Sequence, residues 1–134
     1  MRIEDGGERA KNYQFGDFFY WDYDGNNWLI ECKATRRKSF PLEQLRIGQM
    51  ARLKLYNDLG HGRKSVIAIM FWDEPISENC DCFMITWPMY EKLYNAAMHK
   101  ERSSIPREWV ERYGTLQEKT KDGWALDFQG VIYE

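Results

Sequence analysis

The residues best suited to chemistry in this 134-residue chain lie in one short apolar segment. Glu31 and Lys33 are two positions apart in the run Trp28-Leu29-Ile30-Glu31-Cys32-Lys33-Ala34-Thr35, which has the composition of a buried β-strand. Side chains alternate faces on a strand, so Glu31 and Lys33 point the same way. Asp17 heads an earlier aromatic strand that could bring its carboxylate beside Glu31. Two carboxylates and a lysine can hold a hard divalent cation and a water beside a phosphodiester, so the pattern predicts a metal-dependent nuclease.

A Glu-x-Lys tripeptide taken alone also fits a solvated pair on an exposed strand. The preceding run Trp28-Leu29-Ile30 favours a strand buried on both faces, where a charged pair requires a partner, a metal or a site. We therefore expect Glu31 to be a metal ligand, the backbone carbonyl of Cys32 to be a further ligand, and Lys33 to lie beside the scissile phosphate. The Cys32 side chain is expected to be a small core residue on the opposite face.

Three aspartates compete for the role of the second carboxylate. Asp17 is the first choice, and Asp22 would share a face with Phe18 and Tyr20. Asp24 lies in the turn sequence 24–27, where an aspartate typically bonds its own backbone. We therefore prefer Asp17 over both rivals.

Gln49 falls on the apolar face of a helix predicted over 42–57, one turn after Leu45. A polar amide on such a face needs hydrogen-bond partners. A helix packed against the Glu31 strand could direct Gln49 toward the water at the metal. A glutamine at the border of the helix, facing water, fits the spacing equally well.

Charge is distributed unevenly along the chain. The segment from Lys33 to Lys64 carries nine basic and two acidic residues, a net charge of +7, against −9 for the remainder. A basic segment directly after the proposed site is a candidate track for a phosphate backbone, although a solvated helix face with scattered cations is the simpler alternative. The candidate DNA-binding residues are Thr35, Arg36, Arg37, Lys38, Arg46, Arg52, Arg63 and Lys64.

The elements that must position these side chains follow in the order β-β-α-β-β-α. Strands are predicted over 15–24, 28–34, 65–72 and 82–86, helices over 42–57, 88–99 and 105–113, and an edge strand over 124–128. The continuous apolar run 65–72 is typical of a central strand covered on both faces. The predicted class is α/β, a mixed β-sheet flanked by helices.

Length and composition predict one domain over 1–134, with residues 1–13 as a flexible N-terminal segment. No apolar run approaches the roughly 20 residues of a membrane span, and the polar start lacks the apolar core of a signal peptide. The three cysteines have no framework or zinc spacing, which predicts reduced thiols and a cytoplasmic protein without membrane partners.

Asp17 followed by Glu31-Cys32-Lys33 resembles the PD-(D/E)xK nuclease superfamily, whose fold is restriction-endonuclease-like. The downstream sequence is similar to the Holliday junction resolvases of the RecU type, in a short, phage-like form. The likeness covers positions 14 to 129 in patches. It rests on Lys33-Ala34-Thr35, Ser39-Phe40-Pro41-Leu42, Gln49, Ser104-Ile105-Pro106 and Leu126-Asp127-Phe128.

This resemblance implies a homodimeric, Mg²⁺-dependent endonuclease that cuts four-way DNA junctions in recombination and repair, with Mn²⁺ as a substitute. It assigns Asp17, Glu31, Lys33 and Gln49 to the family's catalytic positions, and it implies the cytoplasm of a bacterium or of a phage-infected cell. Two other functions stay open. One is a restriction-like, flap or nicking nuclease, and the other is a non-catalytic DNA- or protein-binding module on the same fold.

Overall fold

The computed structural model describes residues 18–36, 38–121 and 123–128, and these form a mixed α/β structure. Its strands and α-helices, in chain order, are β1 (Phe18–Trp21), β2 (Asn27–Thr35), β3 (Ser39–Pro41), α1 (Ile47–Asp58), β4 (Arg63–Trp72), β5 (Cys80–Thr86), α2 (Trp87–His99), β6 (Ser104–Pro106), α3 (Arg107–Tyr113), β7 (Thr115–Leu116), β8 (Glu118–Thr120) and β9 (Gly123–Ala125). None of the described helices has the length and apolar content that a membrane crossing requires.

The main sheet has five strands in the order β1-β2-β4-β5-β7. β2 and β4 run parallel and the other neighbouring strands run antiparallel, so the sheet is mixed, as predicted. β4 is the central strand, and its predicted coverage on both faces is confirmed by the full burial of Val66 and Ile67, which face opposite sides.

Each face of the sheet has its own apolar cluster. On the face that carries α1 and α2, Leu29 of β2 packs with Leu53 and Tyr90 from the helices. On the other face, Trp28 and Ile30 are covered by side chains from the C-terminal part of the described chain, namely Trp124, Leu126 and Phe128. The alternation along β2 therefore places its odd-numbered residues toward α1 and its even-numbered residues toward the second cluster.

The predicted hairpin between the first two strands is confirmed, but a different aspartate forms its turn. The Asp22 carboxylate accepts hydrogen bonds from the backbone of Asp24 and Asn26 and, at 2.9 Å, from Trp28 Nε1. The Trp28 hydrogen bond is the main cause that lowers the pKa of Asp22. The turn role expected of Asp24 therefore belongs to Asp22, because its position at the end of β1 lets it reach across the turn.

The single helix predicted over 42–57 is wrong. The chain forms a short 3₁₀ helix at Leu42–Gln44, passes through extended backbone at Leu45 and Arg46, and starts α1 at Ile47. The Arg46 backbone N–H donates to Gln49 Oε1 at 3.0 Å, and this capping bond begins a new helix there. The break allows Leu45 to be buried, with 1% of its surface exposed.

The last predicted strand, over 124–128, is also placed differently. β9 pairs with β8 in a separate two-stranded sheet, and the edge of the main sheet beyond β5 is occupied by β7. Trp124 and Phe128 instead cover an apolar face of the main sheet, which buries more apolar surface than a solvent-exposed edge position would.

Two segments that carried the resemblance meet in space. β3 and β6 pair antiparallel, with Phe40 opposite Ile105, and both of these side chains are fully buried. Ile105 and Pro106, predicted as the start of a helix, therefore belong to a short strand. α3 begins directly after it at Arg107, two residues later than predicted, and Gly114 follows its last residue, as predicted.

Candidate functional site

The structure brings Glu31, Lys33 and Gln49 together. Glu31 lies in the middle of β2 with 3% of its surface exposed, on the face covered by α1. Gln49 Nε2 donates to Glu31 Oε2 at 3.3 Å, and Lys33 Nζ lies 3.8 Å from the same oxygen. A buried carboxylate, an ammonium group and an amide from three positions in the sequence thus share one point.

Gln49 is held by contacts at both ends of its amide. Its Oε1 accepts the backbone N–H of Arg46, which leaves its Nε2 directed at Glu31. The alternative in which the Gln49 amide faces water is therefore wrong. The first turn of α1 fixes the orientation of this side chain relative to β2.

The lysine has a different environment from the carboxylate. The Lys33 side chain is 21% exposed, whereas that of Glu31 is 4% exposed. A partly open ammonium group beside a buried carboxylate can offset its charge and still reach a ligand at the surface. The pair therefore presents a positive group outward and a negative group inward.

Asp17 lies outside the described residues. The described pairing of β1 begins with Phe18 opposite Ile30, and Asp17 is the residue before Phe18 in the sequence. Among residues 18–36, 38–121 and 123–128, no group of three or more His, Cys, Asp or Glu side chains is arranged to hold a metal ion. The predicted ligand set of Asp17, Glu31 and the Cys32 carbonyl extends beyond this part of the chain.

The core role expected of the Cys32 side chain is wrong, because it is exposed. Its face of β2 is covered by the cluster that includes Trp28 and Ile30, and Cys32 lies outside that cluster. Cys82, on the same face, is buried, and burial raises the pKa of its thiol to about 12. The prediction for Cys32 failed because alternation identifies the face but not where along the strand its cover ends.

Four of the predicted DNA-binding residues lie at opposite ends of β2. Arg36 and Lys38 follow the C-terminal end of β2, whereas Arg63 and Lys64 begin β4 beside Asn27 and Trp28, at the opposite end of β2. A strand of this length spans on the order of 26 Å, so the two groups flank the Glu31 site at some distance. Because β2 and β4 run parallel, basic residues of the same segment of the sequence lie at opposite ends of β2.

The environments of the individual basic residues also differ. Arg36 pairs with Asp73 at 3.2 Å and lies over the Trp72 ring, and Lys64 lies over the Trp28 ring. Lys38 and Arg46 are exposed, Arg52 and Arg63 are half-buried, Thr35 is buried, and Arg37 lies outside the described residues. Thr35 is thus less accessible than the exposed cations Lys38 and Arg46.

One residue near the site was not predicted. Gln44 Nε2 donates to the backbone carbonyl of Ala34 at 3.2 Å and so ties the 3₁₀ helix to the end of β2. Its sequence context carries no signal for this contact, since it depends on the break before α1.

A second unpredicted feature is an exposed aromatic group beside the site. Phe19 and Trp21 of β1 lie on the same face as Glu31, and Phe19 contacts Tyr56 of α1 with ring centroids 5.6 Å apart. The alternation of aromatic residues in the first strand could have predicted that Phe19 and Trp21 share a face.

No protein-family model matches this chain, and no curated protein sequence matches it.

Proposed function

We propose that this protein is a Mg²⁺-dependent DNA endonuclease with a restriction-endonuclease-like core. The observation that carries the proposal is the Glu31 carboxylate, buried on β2 with Lys33 and Gln49 at the same oxygen. Burying a carboxylate is costly unless it serves a partner or a site. A carboxylate can hold a divalent cation, and a lysine and an amide beside it can contact a phosphate and a water, which suits metal-dependent phosphodiester cleavage.

The donor atoms available to a cation in this region suit Mg²⁺. Glu31 supplies carboxylate oxygens, and in the proposal Asp17 and the backbone carbonyl of Cys32 complete the ligand set with oxygen atoms, which hard divalent cations prefer. When bound, the cation would supply an activated water and offset charge on the phosphate, and Mn²⁺ could replace it. The low exposure of Glu31 fits a carboxylate whose charge is balanced in the functional state.

The protein groups have separable roles in this proposal. Lys33, partly exposed, would hold a non-bridging phosphate oxygen and stabilise the negative charge that develops there. Gln49, oriented by the N-terminus of α1, would position the attacking water through hydrogen bonds. Glu31 would fix the geometry of both groups, because both contact the same oxygen of its carboxylate.

Branched DNA is the proposed substrate, and a homodimer is the proposed assembly. Both rest on the resemblance to the junction resolvases. A twofold dimer would present two equivalent sites to the two equivalent strands of a four-way junction. The cations at both ends of β2 support a substrate longer than a single phosphate, because they lie on either side of Glu31.

The test is a cleavage assay with a labelled four-way junction and a linear duplex of matched sequence, each with Mg²⁺ and with chelator. Glu31→Gln should reduce cleavage at least about a hundredfold, because it removes the carboxylate charge and retains the shape. Glu43→Gln is the matched control, since Glu43 is an exposed glutamate in the neighbouring 3₁₀ helix.

The outcomes separate the alternative functions. Paired metal-dependent cuts in the junction alone would support a resolvase, and cuts in linear, nicked or flapped DNA would support a nuclease of another specificity. DNA binding without cleavage in either Mg²⁺ or Mn²⁺ would overturn the nuclease proposal and favour a non-catalytic module. Equal activity of Glu31→Gln and the wild-type protein would overturn the site.

A further inference from the structure

The aromatic residues of β1 form a second surface of functional interest. β1 is at one edge of the main sheet. Phe19 is 46% exposed and Trp21 is 67% exposed, which is unusual for rings of this size so near a core. Their ring centroids lie 6.4 Å apart at an interplanar angle of 33°. Tyr56, which contacts Phe19, completes a surface that we call the aromatic platform, comprising Phe19, Trp21 and Tyr56.

The aromatic platform lies on the same face of the sheet as the candidate site. Phe19 is opposite Leu29 in the β1–β2 register, and Leu29 is two residues before Glu31 on the same face of β2. Two residues along a strand and one strand across correspond to roughly 8 Å between the Phe19 and Glu31 positions. Successive phosphates of a DNA strand are about 3.4 Å apart along a duplex, and more in an extended strand. The platform is therefore a few nucleotides from a phosphate at Glu31.

Positive charge accompanies these rings. Asn27 lies opposite Trp21 on one side and opposite Arg63 on the other, so Trp21 and Arg63 lie in one row across the sheet. Arg63 is close enough to Tyr56 to oppose the rise that burial causes in the pKa of Tyr56. Arg52 lies on α1 between Gln49 and Tyr56, one helical turn from each, so cationic positions extend from the site to the platform.

Other uses of this surface fit the observations less well. An interface between two copies of the chain also uses aromatic residues and arginine, so the distinguishing observation is that Phe19 and Trp21 lie on the face of the sheet that carries Glu31. Nucleic acid offers both flat bases for the rings and phosphates for the guanidinium group. Exposed rings and cations next to a candidate phosphodiester site are features that suit the binding of unstacked nucleotides.

We propose that Phe19 and Trp21 stack on unpaired bases of the DNA strand that enters the Glu31 site, with Arg63 holding a neighbouring phosphate. This inference rests on the proposed function and deepens it, since it names unpaired nucleotides beside the cut as the preferred substrate feature. Base stacking on aromatic side chains tolerates any sequence, because every base has a flat face. The platform therefore selects for strand structure and not for sequence.

The test measures binding without cleavage. A labelled oligothymidine of about 12 nucleotides and a duplex of equal length are titrated with the full chain in chelator, with fluorescence anisotropy as the readout. Trp21→Leu should weaken single-strand binding about tenfold and duplex binding much less, because leucine retains an apolar side chain but lacks a flat face. Tyr113→Leu is the control, since Tyr113 is 47% exposed and lies in α3, toward the other edge of the sheet.

The salt dependence separates the two parts of the proposal. Arg63→Gln should lower the slope of log affinity against log salt by about 0.7 for the single strand, whereas Trp21→Leu should leave that slope unchanged. Far-ultraviolet circular dichroism and the unfolding midpoint of each variant establish that it is folded. Trp21 is mostly exposed, so its replacement is expected to leave the fold intact.

Three results would overturn the inference. These are unchanged single-strand affinity in Trp21→Leu, equal weakening in Tyr113→Leu, and conversion of a dimer into a monomer by Trp21→Leu with DNA binding retained. The last result would assign the platform to contact between copies. Because the assay requires no metal and no cleavage, it can succeed in a protein that cuts no DNA. It can also fail in an active nuclease, so its outcome is independent of the proposed function.

Discussion

Two ion pairs of this protein have opposite character. Glu31 and Lys33 lie on the central part of the sheet, with a buried carboxylate and a separation of 3.8 Å. Arg107 and Asp81 lie at the surface, with side chains 31% and 50% exposed and a separation of 2.7 Å. The exposed pair is short and the buried pair is long.

Stability alone would favour the reverse arrangement. Taking a carboxylate out of water costs several kcal/mol unless close contacts offset the loss, and an exposed pair gains little from being close. Arg107 has further contacts that explain its position, since its guanidinium lies over the Phe71 and Phe83 rings. In the proposed function, the surface pair serves the fold and the buried pair serves a site.

The largest expected effect comes from removing the lysine of the buried pair. Lys33→Gln should reduce cleavage about 100- to 1,000-fold in the proposed nuclease, because one positive group at the phosphate is lost. It should also cost about 1–3 kcal/mol of unfolding free energy, since the Glu31 carboxylate stays buried beside a weaker partner. Cleavage rates and urea unfolding measure the two effects.

Lys54→Gln provides the control, because Lys54 is an exposed lysine paired with Asp58 at 3.3 Å on the outer side of α1. It should change cleavage little and stability by less than about 0.5 kcal/mol. If Lys33→Gln behaved like Lys54→Gln, the functional interpretation of the buried pair would be wrong.

The surface pair should give a smaller effect, confined to stability. Asp81→Asn should lower the unfolding free energy by about 0.5–1 kcal/mol and leave DNA cleavage unchanged, because the pair is partly solvated and remote from Glu31 along the sheet. A double-mutant cycle with Arg107→Gln isolates the pairwise energy. A coupling well above about 2 kcal/mol would contradict the comparison.

The Tyr90 hydroxyl is a buried polar group outside the candidate site, and it can be compared with the Glu31 carboxylate. Tyr90 is fully buried, and within the described part of the chain its hydroxyl has no hydrogen-bond partner. Burial also raises the pKa of this phenol above its usual range. Tyr90→Phe should leave the unfolding free energy unchanged or raise it by up to about 1 kcal/mol, because an unmet desolvation cost is removed. A loss of stability in denaturant unfolding would show that the hydroxyl has a partner, such as an ordered water.

The smallest expected effect depends on pH and concerns the hairpin turn. The pKa of Asp22 is lowered in the folded protein, chiefly by the Trp28 Nε1 hydrogen bond, so its stabilising contribution is present above the ordinary pKa of 3.8. That contribution is lost as the pH falls below 3.8 through the lowered pKa. The stability difference between the wild-type protein and Asp22→Ala should therefore be constant near neutral pH and shrink below pH 3.8. A difference that persists unchanged into strong acid would contradict the assigned cause.

Local pattern was sufficient for most of the elements. The hairpin turn between β1 and β2, the central strand β4 and the helix α2 were predicted from the sequence, since turn residues, a continuous apolar run and a proline near the helix start are local signals. The break before α1 was missed, because a side-chain cap on the Arg46 backbone decided it. The position of β9 was missed because competition for the sheet edge is not visible in a local window.

Some features of the candidate site were likewise predictable from the sequence, and others were not. That Glu31 and Lys33 share a face of a buried strand follows from the two-residue period of a β-strand, and the sequence determined it alone. That Gln49 reaches Glu31, that Cys32 is exposed, and that Arg63 and Trp21 share one row across the sheet with Asn27 between them were decided by the tertiary structure. Each of these depends on how α1 and β4 pack on β2, and packing between distant segments is set by the summed burial of both faces, which no single segment encodes.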